Sequence, residues 1–349
     1  MRTHFNIHGL VSATLEANAS DTQHFLSEFA YYRVEEGNEA PLHVDVKIGP
    51  LPDSARTAGV VVNKKFRVTD NTLYGKDSHK VANWETLVTG IDQPRTTVQL
   101  HGNRFARLVW PRWFFETLFR LKLQGAGFSM VHSSSIATRA GGNVLAASPS
   151  TGKTTLLLDW LGRGNPFCND EYSIFKDGEL YSYVTPFRFH AHNLSGSARF
   201  LTRMAEADKR QIRVRTALLK MSGGYADVTY KTGIERVFPD TEILDRVPLD
   251  GVYVLTKGDV ASVELRETAK PDLARKMSVL NEFEWFGFGP YLQAWAYAHP
   301  GSELARRVDH QIALFEQEIE GRKHGEIVVP GRMGTADVNR IYEILGVPH

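Results

Sequence analysis

From the N-terminus to about residue 110 the apolar positions fall in short β-like runs, His43–Ile48, Val60–Val62 and Val98–Leu100 among them, broken by Pro, Gly, Asn and Asp. That texture predicts strands joined by turns. Thr97–Leu100 and Phe105–Trp110 flank His-Gly-Asn-Arg, which predicts a hairpin. The rhythm changes at Pro111. Phe114, Phe115, Leu118, Phe119 and Leu121 recur at helical spacing, predicting an amphipathic helix over about 111–124, opened by the proline and ended near Gly125 and Gly127. Its aromatic residues read as core packing.

A β-like run from about Ser129 to Ala137, a turn at Ala-Gly-Gly-Asn and an apolar strand Val144–Ala147 follow, so two neighbouring strands are expected. The loop Ser-Pro-Ser-Thr-Gly then opens a helix from about Lys153 to Leu161, stopped at Gly162 and Gly164, and a short strand Phe167–Asn169 comes next. Tyr172–Phe175 and Glu179–Val184 flank Lys-Asp-Gly, a second hairpin signal. Beyond residue 200 the pattern predicts charged helical material over about 199–220, a strand Gly251–Thr256, and helices near 271–283 and 302–320. No fixed-period repeat or long low-complexity segment is present.

Composition narrows the class. The 349 residues, 42% hydrophobic and 11% aromatic, suffice for a sizeable core and favour about two domains. Lys plus Arg (41) balances Asp plus Glu (40), so no global field favours nucleic acid, and none is expected as a partner. The single cysteine, Cys168, cannot form an internal disulfide and reads as buried filler. With no secretory h-region and no run of roughly 20 apolar residues, the expectation is a soluble cytoplasmic protein with no membrane partner.

The strongest chemical signal is Ala147-Ser-Pro-Ser-Thr-Gly152-Lys153-Thr154-Thr155, a loop between a strand and a helix. In that setting backbone N–H groups and the positive helix end aim at one point, where phosphates can sit. Ser150, Thr151, Gly152, Lys153, Thr154 and Thr155 are the candidate nucleotide contacts. Gly152 lets the chain wrap closely, Lys153 supplies charge, and the Thr154 hydroxyl can complete a magnesium shell. Ala147 stands where the usual pattern has its first glycine. Asp170 and Glu171 follow the Phe167–Asn169 run, so both are expected on the sheet edge that carries the loop.

Three residue sets, Val131-His132-Ser133-Ser134, Ser150–Thr155, and Phe167-Cys168-Asn169-Asp170-Glu171-Tyr172-Ser173-Ile174, give this sequence a resemblance to the HPr kinase/phosphorylase group over roughly residues 128–190. The resemblance implies an α/β fold: an HPr kinase C-terminal-like P-loop core, a mixed sheet with flanking helices, over 111–349 with a C-terminal helical region. Residues 1–110 would be a mostly β or α+β module that helps select substrate. It also implies an ATP-dependent kinase using Mg2+, with Asp170 accepting the proton of an attacking hydroxyl, Lys153 neutralising phosphate charge, His132 beside the transferring group, and Thr154 and Glu171 holding the metal. The family more often has Asp at the position of Glu171. The downstream signature that engages the HPr carrier protein is not found, so the expected acceptor is a small molecule or peptide, and a homo-oligomer is left open. The rival readings are a P-loop ATPase or nucleotide-dependent switch without an acceptor, and a degenerate nucleotide-binding module.

Weaker candidates remain. Arg188 could touch phosphate or substrate. His190 and His192 have a metal-compatible spacing but no evident third ligand. Arg203, Lys209, Arg210, Arg213 and Arg215, like Arg306 and Arg307, read as solvated basic faces, and the stretch Glu282, Trp285, Phe286, Phe288 and Tyr291 reads as core packing.

Overall fold

In a computed structural model the described residues are 1–37, 39–189, 202, 204–223 and 230–348, with the backbone alone of Phe286. His190, His192 and Arg203 lie outside them. The chain is α/β, with mixed sheets and flanking helices, and divides into two units: Met1–Phe128 with Glu282–Gln311, and Ser129–Asn281 with Ile312–His349. This differs from a division at residue 110, because the predicted helix after Pro111 packs its aromatics into the N-terminal unit.

That unit contains β1 (Arg2–Ile7), β2 (Val11–Glu16), α1 (Ala19–Phe29), β3 (Arg33–Val34), β4 (Leu42–Ile48), β5 (Val60–Val62), β6 (Phe66–Val68), β7 (Thr72–His79), β8 (Ala82–Thr89), β9 (Arg95–Gly102) and α2 (Thr117–Gly125). Its sheet runs β3-β1-β2-β4-β9-β8-β7-β6-β5, antiparallel except where β4 lies parallel to β2 and β9. A π-helical turn, Pro111–Glu116, leads into α2. Phe115 meets Phe5, Phe25, Phe29 and Phe119 edge-on or tilted. The hairpin expected between Thr97–Leu100 and Phe105–Trp110 does not form. The Asn103 side chain accepts the N–H groups of Phe105 and Ala106, both at 3.1 Å, and turns the run into helical conformation, while β9 takes β4 and β8 as partners. The expected core role of Trp285, Phe288 and Tyr291 holds: all three are buried, and Phe288 stacks on Tyr291.

The remaining elements are β10 (Ser129–Thr138), β11 (Gly141–Ala146), α3 (Lys153–Gly162), β12 (Tyr172–Lys176), β13 (Glu179–Tyr181), β14 (Phe187–Phe189), α4 (Glu206–Met221), β15 (Tyr230–Thr232), α5 (Ile234–Val237), β16 (Arg246–Lys257), β17 (Glu264–Arg266), α6 (Lys270–Phe283), α7 (Gly289–Ala298), α8 (Arg307–Ile319), β18 (Lys323–Val329) and α9 (Thr335–Leu345). The second sheet runs β11-β10-β12-β13-β16-β18-β17. The long strand β16 pairs with β13 through Arg246–Pro248 and lies parallel to β11 through Leu249–Val254, which closes five strands into a ring. Its centre, Val252–Leu255, is a continuous apolar run buried throughout, as a parallel strand covered on both faces requires.

The two hairpins expected here, β10–β11 and β12–β13, both form. The strand expected at Phe167–Asn169 is instead an extended segment with isolated bridges to Ile243 and Tyr183. The partners change residue by residue: Phe167 exchanges bonds with Glu242 and Leu244, whereas Asn169 O accepts from Ser135 N. No single ladder can therefore run through it.

β10 carries four serines yet is buried along almost its whole length. Fully buried Asn281, on α6, fixes its first half: Asn281 Oδ1 accepts the His132 N–H at 3.1 Å and Asn281 Nδ2 donates to the Met130 carbonyl at 2.6 Å. Asn281→Ala should leave both backbone groups buried and unsatisfied, lowering unfolding stability by about 2–4 kcal/mol, as read from urea denaturation; a loss within about 0.5 kcal/mol would show that β10 does not depend on this clamp.

Candidate active site

The site is assembled by the hydrogen bonds of β10. On one edge its partner is β11, whose exit is marked by Ala147 N donating to His132 O at 3.3 Å. On the other edge Ser133 N donates to Glu171 O at 3.0 Å and Ser135 N to Asn169 O at 3.3 Å. The loop after β11 and the bend holding Asp170 and Glu171 are thus separated by one strand, at the level of His132–Ser134. Strand alternation sets His132 and Ser134 on the face opposite Val131 and Ala137, which belong to the core packed with Leu273, Met277 and Phe315. α3 packs against β10 as well.

The loop turns sharply between β11 and α3. Ser150 (φ +65) and Gly152 (φ +116) are left-handed, and Gly152 caps a ten-residue helix with no side-chain hydrogen bond. Thr151 is buried and braces the loop, its hydroxyl donating to Ser148 O at 2.8 Å. The N–H groups of Ser150, Thr151 and Gly152 meet no protein acceptor among the described residues, which leaves donors and the positive helix end directed at the same place. Lys153 is buried and turned inward, its ammonium on the carbonyls of Ala147 (2.5 Å) and Ser148 (3.2 Å). Thr154 and Thr155 are half-buried at the first turn of α3. Ala147 keeps an ordinary negative φ, so a methyl group is tolerated where the usual motif has glycine.

Asp170 is only 7% exposed. Burial pushes its carboxyl up from 3.8 to about 7, the negative charge of Glu171 adds to the rise, and Lys153, the Glu171 N–H and Arg188 oppose it. Glu171 sits at φ +75, strained for a residue with a Cβ. Its Oε1 lies 3.4 Å from Arg188 Nε. Arg188 is held by β14, paired with β15 opposite Lys231. His132 is half-buried, its ring edge-on to Tyr172 at 5.6 Å. Asp170, Glu171, Lys153 and Arg188 therefore form one electrostatic group, and His132 stands at the strand between its halves.

Among the described residues no cluster of three or more His, Cys, Asp or Glu could hold a metal by itself. Magnesium arriving with a triphosphate needs one or two protein oxygens, and Thr154 with Glu171 or Asp170 could supply them. Cys168 is buried, its thiol pushed up to about 12 by burial, which fits a packing role. Lys209, Arg210, Arg213 and Arg215 lie on α4, where Lys209 pairs with Glu206 at 2.6 Å.

Sequence patterns missed two neighbours of this site. Asn281 gave no signal in its helix. Met333 follows β18, and its methyl packs so closely on Gly152 that a Cβ there would come within 2.2 Å; the apolar run Ile327-Val-Val followed by Pro-Gly was the signal for that strand and turn.

The site thus belongs to an α/β protein in which a strand–loop–helix turn lies one strand away from buried Asp170 and half-buried Glu171. No protein-family model and no curated protein matches the chain. Among the described residues no helix is long and apolar enough to cross a membrane.

Asp170 makes a signed prediction. Its folded value lies above its ordinary one, so its ionisation costs nothing below pH 3.8, erodes stability as pH rises, and costs the full amount above about 7. Asp170→Asn should raise unfolding stability at pH 8 by about 2–4 kcal/mol and change it far less at pH 4. A variant less stable at pH 8 would mean that Lys153 and Arg188 outweigh desolvation.

Proposed function

We propose that this chain is an ATP-dependent kinase that transfers the γ-phosphoryl group to a hydroxyl of a small molecule or peptide. The observation that supports it most is the juxtaposition of unsatisfied loop N–H groups with a buried carboxyl whose ionisation falls near neutral pH. A general base works best when it titrates near the working pH, and phosphoryl transfer otherwise asks mainly for positioning and charge neutralisation. The N–H groups of Ser150–Gly152 and the α3 terminus would cradle the phosphates. The Lys153 ammonium would exchange its own loop carbonyls for phosphate oxygens. Asp170 would accept the proton of the attacking hydroxyl, with His132 beside it. Arg188, adjacent to Glu171, would hold the acceptor or a phosphate oxygen. Magnesium, bound by Thr154 and Glu171, would supply countercharge. The resemblance to the HPr kinase group supports the same division of roles.

The inward bonding of Lys153 favours a second reading: a loop closed on itself, serving a nucleotide-dependent switch with water as the acceptor. Incubation with labelled ATP and pooled metabolites and peptides separates the two. A phosphate-sized mass increment on an organic product supports the kinase, and inorganic phosphate alone supports the ATPase. For the kinase, kcat/KM should rise with pH to a plateau above about 7. Asp170→Asn should lower it by about 10²–10⁴-fold and abolish that rise, while Lys153→Ala should weaken nucleotide binding as well. Full activity in Asp170→Asn with normal nucleotide binding would remove the base from this role.

A further inference from the structure

The phosphate loop and the bend at Asp170 fix the direction in which a bound triphosphate must run. β11 lies between β10 and β16 in its sheet. With the transferring γ-phosphate facing Asp170, on the β10 side of the loop, the nucleoside trails to the other side of β11, over the ends of β16 and β18. Ligands of parallel α/β sheets lie outside those carboxyl ends.

What stands there is the connection from β18 to α9, Pro330-Gly331-Arg332-Met333-Gly334. Ala146, Val254 and Glu326 are level across the three parallel strands, and β18 continues to Val329. The connection therefore leaves the sheet beyond the level at which β11 enters the phosphate loop. Its far end is tied to the helix that carries the loop: the Tyr342 hydroxyl of α9 donates to Leu156 O of α3 at 3.0 Å, and the Tyr342 ring packs on Trp160. The half-buried Met333 side chain reaches Gly152. Arg332 beside it is exposed and has no side-chain partner among the described residues.

The loop itself, Ser148-Pro149-Ser150-Thr151-Gly152, offers hydroxyls and one proline ring, which suit phosphate oxygens better than a flat aromatic base. A methionine thioether is polarizable and adapts to an aromatic ring, and a guanidinium stacks on aromatic faces. Both groups thus suit a purine, at the place to which the phosphate geometry sends it. We propose, on the nucleotide reading above, that residues 330–334 form the nucleoside subsite, with the purine base against the Met333 thioether and the Arg332 guanidinium.

Calorimetry on the full chain with magnesium and either ATP or inorganic tripolyphosphate separates this subsite from the phosphate cradle. The double variant Arg332→Gln, Met333→Ala should weaken ATP binding by about tenfold and change tripolyphosphate binding by less than about twofold at physiological salt. Met333→Leu, which keeps the apolar volume, should hold ATP within about twofold of the unaltered chain. Thermal melting checks folding, and Arg332→Gln alone, at an exposed position, should still weaken ATP by about threefold. Equal losses for the two probes would make these residues a structural brace or a phosphate contact, and unchanged ATP binding would put the base elsewhere; either result overturns the subsite and leaves the phosphate loop standing. An unaltered chain that binds neither probe would remove the phosphate loop and the subsite together.

Discussion

Everything proposed for the C-terminal unit depends on the register of one strand. β10 spends its hydrogen bonds on two edges at once: residues 133–138 pair with β11 and residues 129–132 with β12. Ser133 and Ser135 reach further, to Glu171 and Asn169. Because side chains alternate with period two, a slip of one residue would move His132 and Ser134 to the core face and expose Val131 and Ala137 to the loop. The serines suit such a strand. Ser133 donates to Ser173 at 2.7 Å, and Ser135 accepts from Asn169 at 3.0 Å, so these hydroxyls lock the neighbouring segments in register where apolar residues would allow sliding.

That register sets the electrostatics. Asp170 is buried by the segment it lies on, and Lys153 is buried by the loop it closes. Each is therefore expensive alone, and each partly offsets the other: Lys153 lowers the cost of ionising Asp170, while Glu171 raises it and is itself paired with Arg188. On the proposed reading, the two acids and two cations make a balanced set in which phosphate charge entering on the loop side must be met by metal charge or by protonation of Asp170. Nucleotide arrival and the charge of the base are then linked without any conformational switch.

Much of this was legible in the chain. The strand–loop–helix unit, both hairpins, β16 and the helices near 271–283 and 302–320 follow from periodicity and glycine stops. Other parts required tertiary information. The run Phe105–Trp110 has strand-like residues, yet Asn103 captures its first amides and starts a helical turn. Phe167–Asn169 has strand composition, yet its partners lie in three different places in the sequence. The pairing of β16 with β11, across about a hundred residues, leaves no local trace, because parallel neighbours are chosen by packing and crossover geometry. Arg307 reads as part of a solvated basic face in the sequence, yet its guanidinium is largely buried on Glu282, a partner that no local pattern names.

Gly152 carries less weight in the functional reading than its motif suggests. β11, β16 and β18 are mutually parallel, so the loops after β11 and β18 emerge at one edge, where the Met333 methyl occupies the space a Gly152 side chain would need. With φ at +116 as well, the fold demands glycine there whether or not phosphate ever binds. Its presence therefore cannot separate a nucleotide site from a tightly packed turn. Lys153 bears on the question differently: its ammonium closes the loop on the Ala147 and Ser148 carbonyls, at a helix N-terminus whose dipole an added anion would offset. The case for phosphate rests on the pairing of that lysine with the amides of Ser150, Thr151 and Gly152, and the case for transfer on Asp170 lying one strand away.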